Sequence, residues 1–352
     1  MKLIHCADLH LGSKISSKFP KELSLERRAE VRDSFRRMVG YANEQAIDII
    51  VLAGDVFDTD KPFKRDKDFF YSVVANNPDI DFLYLRGNHD TLGEDRDFPN
   101  LKTFSREWSA YTYGDTVISG IEICRENATS LYSTLALSAD KKNIVVMHGQ
   151  ACDSVGMDNV HLGRLRGKYI DYLALGHIHQ YGFGKIDERG IWAQSGCLEG
   201  RGFDETGDKG FIVVDIAQKL THTFVPFSKK KIIRETLDIT GVADAYGAYR
   251  LALEKIDFDK SNIYRIELVG ETDASSDSYA EDLQKFLASA CAFVSVKDRT
   301  RKRIDISAYE GDTSLKGEFV RTVYANTAYT DEEKAQILAY GLRALAGREV
   351  EN

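Results

Sequence analysis

The sequence predicts an α/β sandwich, with helices flanking its sheets, followed by a small α/β module and a terminal pair of helices. Three observations predict it. Short apolar runs at residues 2–7, 47–53, 81–86, 144–147 and 171–175 have the length and the Ile, Val and Leu content of buried strands. Helical patterning fills the gaps between the first of them, as strand–helix alternation requires. Each run also ends in a polar motif: Asp8-Leu9-His10, Gly54-Asp55-Val56-Phe57-Asp58, Gly87-Asn88-His89-Asp90, His148-Gly149 and Gly176-His177-Ile178-His179. Five of the eight histidines fall inside these motifs, which scattered core histidines would not do.

Taken in order, the first gap predicts a helix from about 24 to 45, with Val31, Phe35, Met38, Val39 and Ala42 on one face and its arginines elsewhere. A second helix is expected over 66–77. Residues 191–195, 210–216 and 221–227 read as consecutive strands joined by Gly-rich turns, making the later core more antiparallel. Lys229-Lys230-Lys231 marks a shift in composition and the expected boundary. Residues 1–228 then form the main domain, 229–310 a small α/β cap and 311–352 a helical segment. Inside the cap the pattern is strand (234–240), helix (242–256), strand (263–269), helix (277–290) and strand (292–298), with a further strand at 303–307. The last segment reads as helices over 313–325 and 331–346. Thr330-Asp331-Glu332-Glu333 supplies a capping box for the second.

The composition is that of an ordinary globular chain: 352 residues, 43% hydrophobic and 29% charged. No apolar run approaches the ~18 residues of a membrane span, so no membrane partner is expected. The first strand starts at once and leaves no room for a cleavable leader, which gives a cytoplasmic expectation. Five cysteines without a C-x-x-C pair fit neither a disulfide framework nor a zinc ribbon. Cys6, two residues before Asp8, is read as a small buried residue. A net charge of −8 argues against tight, unaided binding to nucleic acid. The local basic clusters, at Arg27 to Arg37, Arg164 to Lys168, Lys229 to Lys231 and Lys297 to Arg303, are read by default as solvated faces.

The motifs carry the chemistry. Asp8 and His10, two apart at a strand end, project to one side. Asp55 has two oxygens and can touch two ions, and Gly54 lets the chain turn sharply before it. Asn88 supplies a neutral carbonyl oxygen, and His148, His177 and His179 supply imidazoles. These seven side chains suffice for two adjacent divalent ions. Carboxylates mixed with imidazoles suit a borderline ion such as Mn²⁺, Fe²⁺ or Zn²⁺. Paired ions of this kind serve phosphoester hydrolysis. His89 is left over, and a histidine beside a ligand suits a catalytic acid that protonates a leaving oxygen. Asp90 is expected to orient it. Asp58 is read as hydrogen-bonding a ligand or a loop amide, His5 as a core histidine, and His161 and His222 as structural or surface residues.

On these motifs the chain resembles the calcineurin-like metallophosphoesterase superfamily over about residues 1–228. It is most similar to the SbcD/YhaO branch of DNA repair exonucleases. The branch resemblance rests on His5 to Ser13, on Gly200 to Gly210 and on the terminal Gly341 to Gly347. The resemblance implies that Asp8, His10 and His179 hold one ion, that Asn88, His148 and His177 hold the other, and that Asp55 bridges. It further implies Mn²⁺, a metal-dependent exonuclease acting on DNA, a coiled-coil ATPase partner of the SbcC type docked on the helical tail, and a homodimer. Two other readings stand beside it: a phosphoesterase of the same scaffold acting on nucleotides, cyclic nucleotides or phosphoproteins, and a non-catalytic scaffold or adaptor.

Overall fold

A computed structural model describes residues 1–15, 19–90, 97–217, 220–272, 279–302 and 306–345. The chain forms two compact units, Met1–Ile232 and Ile233–Asn352.

The first unit is a sandwich of two six-stranded sheets. One contains β1 (Lys2–Cys6), β2 (Ile49–Ala53), β3 (Asp81–Leu85) and β4 (Leu101–Thr103), mutually parallel, with β13 (Gly210–Ile216) and β14 (Leu220–Pro226) added antiparallel beyond β1. The other runs in the order β11 (Gly182–Lys185), β12 (Ile191–Gln194), β10 (Tyr172–Gly176), β7 (Lys142–His148), β6 (Thr116–Gly120) and β5 (Ser109–Tyr113). Within it β6, β7, β10 and β12 are parallel. A short pair, β8 (Gln150–Cys152) and β9 (Asn159–His161), lies between β7 and β10 in sequence. The three consecutive strands expected over 191–227 form, and they divide between the sheets: 191–194 joins the second, whereas 210–216 and 220–226 join the first.

Alternation sorts the side chains of each strand. Ile144 and Val146 of β7, with Tyr172 and Ala174 of β10, face Leu3, Val51 and Leu83 of the first sheet in one dry core. Val145, Met147, Leu173 and Leu175 point outward into a second cluster, which the short helix α3 (Leu131–Thr134) covers with Leu131 and Tyr132. Helices α1 (Lys21–Glu44) and α2 (Lys64–Ala75) cover the first sheet. Their aromatic rings make the contacts: Tyr41 against Phe211 and Phe70 against Tyr84. Ala46, at φ +50°, ends α1, and Ile47 N–H reaches back to Ala42 O at 2.9 Å.

Arg27 corrects the reading of its cluster as a solvated face. It is fully buried and donates to Glu30, to Glu199 at 2.9 Å and to Gly200 O at 2.6 Å. Lys230 also pairs with Glu26 and Glu30, and Lys229 with Asp33, so these two lysines clasp α1, while Lys231 pairs with Asp208.

In the second unit, β15 (Ile232–Asp238), β16 (Ile263–Val269) and β18 (Phe293–Asp298) form a three-stranded sheet that packs on α4 (Ala245–Lys255) and α5 (Tyr279–Leu287). A two-residue pair, β17 (Glu271–Thr272) and β19 (Arg301–Lys302), follows. Of the strand expected at 303–307, residues 303–305, Arg303 among them, lie outside the described residues, and Ile306–Tyr309 is a 3-10 turn. Helices α6 (Leu315–Ala325) and α7 (Asp331–Leu345) pack through Val320, Val323 and Leu338. The capping box forms: Thr330 N–H donates to Glu333 Oε2 at 2.8 Å, and Glu333 N–H to Thr330 Oγ1 at 3.3 Å. Ala346 and Gly347 lie outside the described residues. Among the described residues no helix is long and apolar enough to cross a membrane.

Candidate metal centre

The five motifs leave the carboxyl ends of β1, β2, β3, β7 and β10, where parallel strands of both sheets finish together. Beyond the strands the backbone ladder continues: Asp8 N–H donates to Gly54 O at 3.0 Å and His10 N–H to Asp55 O at 3.0 Å. Asp8, His10, Asp55 and His177 adopt φ of +53°, +47°, +53° and +87°. Residues with a Cβ avoid this left-handed region, and such strain survives where the surroundings enforce it. Gly54 and Gly87 make room: a Cβ on Gly54 would overlap the His148 ring, and one on Gly87 would overlap the Asp55 carboxylate.

The donors converge. His10 Nε2 and His179 Nε2 lie 3.1 Å apart. Asp55 Oδ2 is 3.8 Å from His10 Nε2 and 3.4 Å from His148 Nε2, so it stands between them. Asn88 Oδ1 lies 3.0 Å from His148 Nε2. Among the described residues, two sets have donor atoms all within 4.8 Å of one another: Asp8 with His10 and His179, and Asp8 with Asp55 and His148. Asp8 thus touches both sets, and its two oxygens also accept the His177 N–H at 3.0 and 3.1 Å. The His177 ring lies beside His148, with centroids 5.3 Å apart, outside both tight sets.

Three of the imidazoles have a polar neighbour behind them. His148 Nδ1–H donates to Ala53 O at 2.9 Å. His179 Nδ1 meets Glu205 Oε1 at 2.9 Å, and His10 Nδ1 lies 3.2 Å from Asp58 Oδ1. Arg201 ties the last two together. It donates to Asp58 at 2.8 Å and to Glu205 at 2.8 Å, closing a ring from His10 through Asp58, Arg201 and Glu205 to His179. Lys209, almost fully buried, donates to His179 O at 2.8 Å. Asp58 thus lies beside His10, but its carboxylate accepts a hydrogen bond from Arg201, and the approach to His10 Nδ1 lacks hydrogen-bond geometry. Arg201, Glu205 and Lys209 escape a reading by motif. They lie in the Gly200 to Gly210 segment, which carries a resemblance and no ligand motif.

His89 is exposed, with its ring edge-on to His10 at 5.3 Å between centroids and its N–H donating to Asp55 Oδ1 at 3.0 Å. Asp90 departs from expectation. Its carboxylate accepts from the amides of Phe57, Gly87 and Val56, at 2.8, 3.0 and 3.2 Å, so it pins two motif loops together instead of orienting the His89 ring. His5 is a buried core histidine. Its Nε2–H donates to Leu175 O at 3.2 Å, its Nδ1 accepts from the Tyr172 hydroxyl at 2.8 Å, and burial lowers its pKa to about 3. Cys6 is buried and belongs to neither donor set.

Charge at the site is sharply divided. Burial alone would push the His148 imidazole down, but the hydrogen bond and charge of Asp55 raise it to about 9. Burial works against ionisation of Asp55 too, yet His148 and His10 hold its carboxyl well below the usual range. Glu205 is held low in the same way by His179 and Arg201. Burial pushes His10 down. The proton that His148 keeps beside Asp55 is the charge a cation would displace. Ionised carboxylates facing converging imidazoles therefore fit divalent cations.

Strand-end carboxylates and histidines arranged in two overlapping sets define a metal-dependent phosphoesterase. A model of calcineurin-like phosphoesterases matches residues 1–181, which contain all five motifs, and the chain belongs to this family. An uncharacterized metallophosphoesterase of Bacillus subtilis, YhaO, is 28% identical over 248 residues, covering 61% of this chain and 57% of that protein. The DNA double-strand break repair protein Mre11 of Saccharolobus solfataricus is 24% identical over 270 residues, covering 68% and 64%. SbcD, a component of the nuclease SbcCD of Escherichia coli, is 33% identical over 102 residues, covering 28% and 24%. The chain thus matches less than two thirds of the length of each of these relatives.

Proposed function

We propose that this chain is a two-ion phosphodiesterase that hydrolyses DNA, a repair nuclease working with a coiled-coil ATPase of the SbcC kind. The carrying observation is the approach of His10 Nε2 and His179 Nε2 to 3.1 Å, with Asp55 between His10 and His148. Two imidazole nitrogens aimed at one point beside ionised carboxylates support a cation there. In this reading Asp8, His10 and His179 hold one ion, Asn88, His148 and His177 hold the other, and Asp55 serves both. When bound, such ions supply positive charge for the phosphoryl oxygens and lower the pKa of an attacking water. His89 gives its proton to the departing 3′ oxygen, which its exposed place beside His10 supports. Asp90 keeps the loop of Asn88 and His89 against that of Asp55 through its three amide bonds.

DNA as the substrate is supported by the names of the relatives, one a double-strand break repair protein and one a component of a nuclease. With this reading go Mn²⁺ as the ion, a cytoplasmic location, a homodimer, residues 229–310 as a cap and residues 311–352 as the docking segment for the ATPase. The test sets duplex DNA beside bis(p-nitrophenyl) phosphate and mononucleotides, with Mn²⁺ and with chelator. Cleavage of DNA that chelator stops is the expected result. Cleavage of the small substrates alone, with the ATPase present, would transfer the reading to a nucleotide-type phosphoesterase. Elemental analysis showing no bound metal would transfer it to a scaffold.

A further inference from the structure

Beside the ligands Asn88 and His148 opens a pocket of about 340 Å³, walled by Arg86, Arg106 and Arg125, that the proposed reaction has not used. Its volume falls at the lower end of small-ligand sites, which run from about 300 to 1,000 Å³. Arg86, at the end of β3, is pinned by its bond to Glu122 at 2.8 Å. Arg106 and Arg125 sit on two separate segments, and the Asn127 side chain stitches these together. Its Nδ2 donates to Arg106 O at 2.9 Å and to Glu122 O at 2.8 Å, while its Oδ1 accepts from Cys124 N–H at 2.8 Å. Glu122 N–H adds a bond to Ser105 O at 2.8 Å. Both guanidinium-bearing segments are therefore fixed in place before any ligand arrives.

Arg106 and Arg125 are exposed, and among the described residues neither is in a salt bridge. Elsewhere in this acidic chain arginines and lysines near the core are neutralised, as Arg27, Arg201 and Lys230 are. Arg86 is paired with Glu122, so Arg106 and Arg125 face a single lining carboxylate, Glu126, which feels the charge of Arg106. The remaining wall includes Ile123 and Met157, and Met157 is 56% exposed. An exposed thioether beside arginines offers a polarisable face for a flat ring, and guanidiniums offer hydrogen bonds to a phosphate.

We infer that this pocket binds one nucleotide of the strand being cut, its phosphate on Arg106 and Arg125 and its base against Met157 and Ile123. The inference rests on the nuclease reading and deepens it: the strand enters the centre from the Asn88 and His148 side. Arg106 and Arg125 without an apolar wall would suit any phosphate. The apolar wall selects for a nucleotide.

The test is calorimetric titration of the Mn²⁺-loaded full chain with thymidine 5′-monophosphate, inorganic phosphate and thymidine, alongside DNA-cleavage kinetics. The monophosphate should bind at least about tenfold more tightly than either fragment, since both parts of the pocket are used. The double variant Arg106→Ala, Arg125→Ala should lose about tenfold or more of that affinity. Its KM for DNA should rise by a similar factor while kcat changes less. The double variant Arg106→Lys, Arg125→Lys should regain most of both, which separates lost charge from lost folding. Equal affinity for the monophosphate in wild type and the alanine variant would overturn the pocket, as would equal affinity for the monophosphate and inorganic phosphate. Monophosphate binding as expected, in a wild-type chain that cuts no DNA, would sink the nuclease reading and leave the nucleotide site standing.

Discussion

The two halves of the metal centre are built by different means. On one side His10 and His179 are each backed by a carboxylate, Asp58 and Glu205, and Arg201 joins the two carboxylates. On the other side His148 is backed by a backbone carbonyl, Ala53 O, and its neighbour Asn88 is neutral and exposed. A carboxylate behind an imidazole fixes its tautomer and raises its basicity more than an amide carbonyl does. The first half should therefore hold its ion more tightly, through side chains that can be removed one at a time. The second half depends on the backbone of β2 and on Gly54, which leaves room for the His148 ring.

Four experiments break or sharpen this contrast. The largest effect should come from Asp55→Ala, because Asp55 stands between His10 and His148, where the proposed bridge would lie. Phosphodiester hydrolysis should fall on the order of 10³-fold or more, several kcal/mol of charge stabilisation being lost with the ions. Equilibrium dialysis should show Mn²⁺ missing from both halves. Retention of two ions would mean that Asp55 bridges nothing. His89→Ala comes next: it should keep both ions and lower kcat by roughly 10²- to 10⁴-fold, as loss of a general acid does. Full activity in that variant would remove His89 from the mechanism.

Arg201→Gln tests the asymmetry itself. It should weaken Mn²⁺ binding on the His10 and His179 side by roughly 10- to 100-fold and leave the other side nearly unchanged. A Mn²⁺ titration followed by electron paramagnetic resonance would then turn from two close steps into two well-separated ones, and Arg201→Lys should restore much of the affinity. Equal weakening of both steps would show that the two halves are not independently braced.

The smallest effect belongs to His5, a buried imidazole below the centre that serves neither half. Its pKa is about 3 in the folded chain, against 6.5 in the unfolded one, so only the unfolded chain takes up a proton between those values. Stability is therefore full above pH 6.5 and is lost as pH falls toward 3. Between pH 7 and pH 5 the loss should be about 2 kcal/mol at most. Urea midpoints at the two pH values should differ less in His5→Gln than in the wild type. The same difference in both would assign the acid sensitivity to other groups.

Much of the centre is legible in the sequence because its donors follow strands that announce themselves. Asp8, Asp55, Asn88, His148 and His179 stand directly after apolar runs or within a few residues of one. What brings them together is the parallel ends of two packed sheets. Arg201 and Glu205 are not legible as site residues, since nothing local in Gly200 to Gly210 says that this loop passes behind His179. Asp90 misleads because adjacency in sequence suggests a partner, whereas three nearby backbone amides compete for the same carboxylate and win. Arg27 shares its run with the exposed Arg36 and Arg37, and its burial rests on Glu30, on the Gly200 carbonyl and on Glu199, the last 172 residues away. The hairpin of β5 and β6 escapes notice although its residues alternate around a Gly114-Asp115 turn. Its strands are rich in Ser, Thr and Gly and lack the apolar run that marks the others.

The donors are drawn from positions 8 to 179, and the brace behind His10 and His179 closes only at residue 205. A nascent chain therefore emerges from the ribosome with its first carboxylates and Asn88 long before any histidine from the second sheet can join them. No shorter N-terminal fragment can assemble the complete cation cradle. A metallophosphoesterase built in this way has no complete cation cradle throughout most of the synthesis of its own catalytic unit.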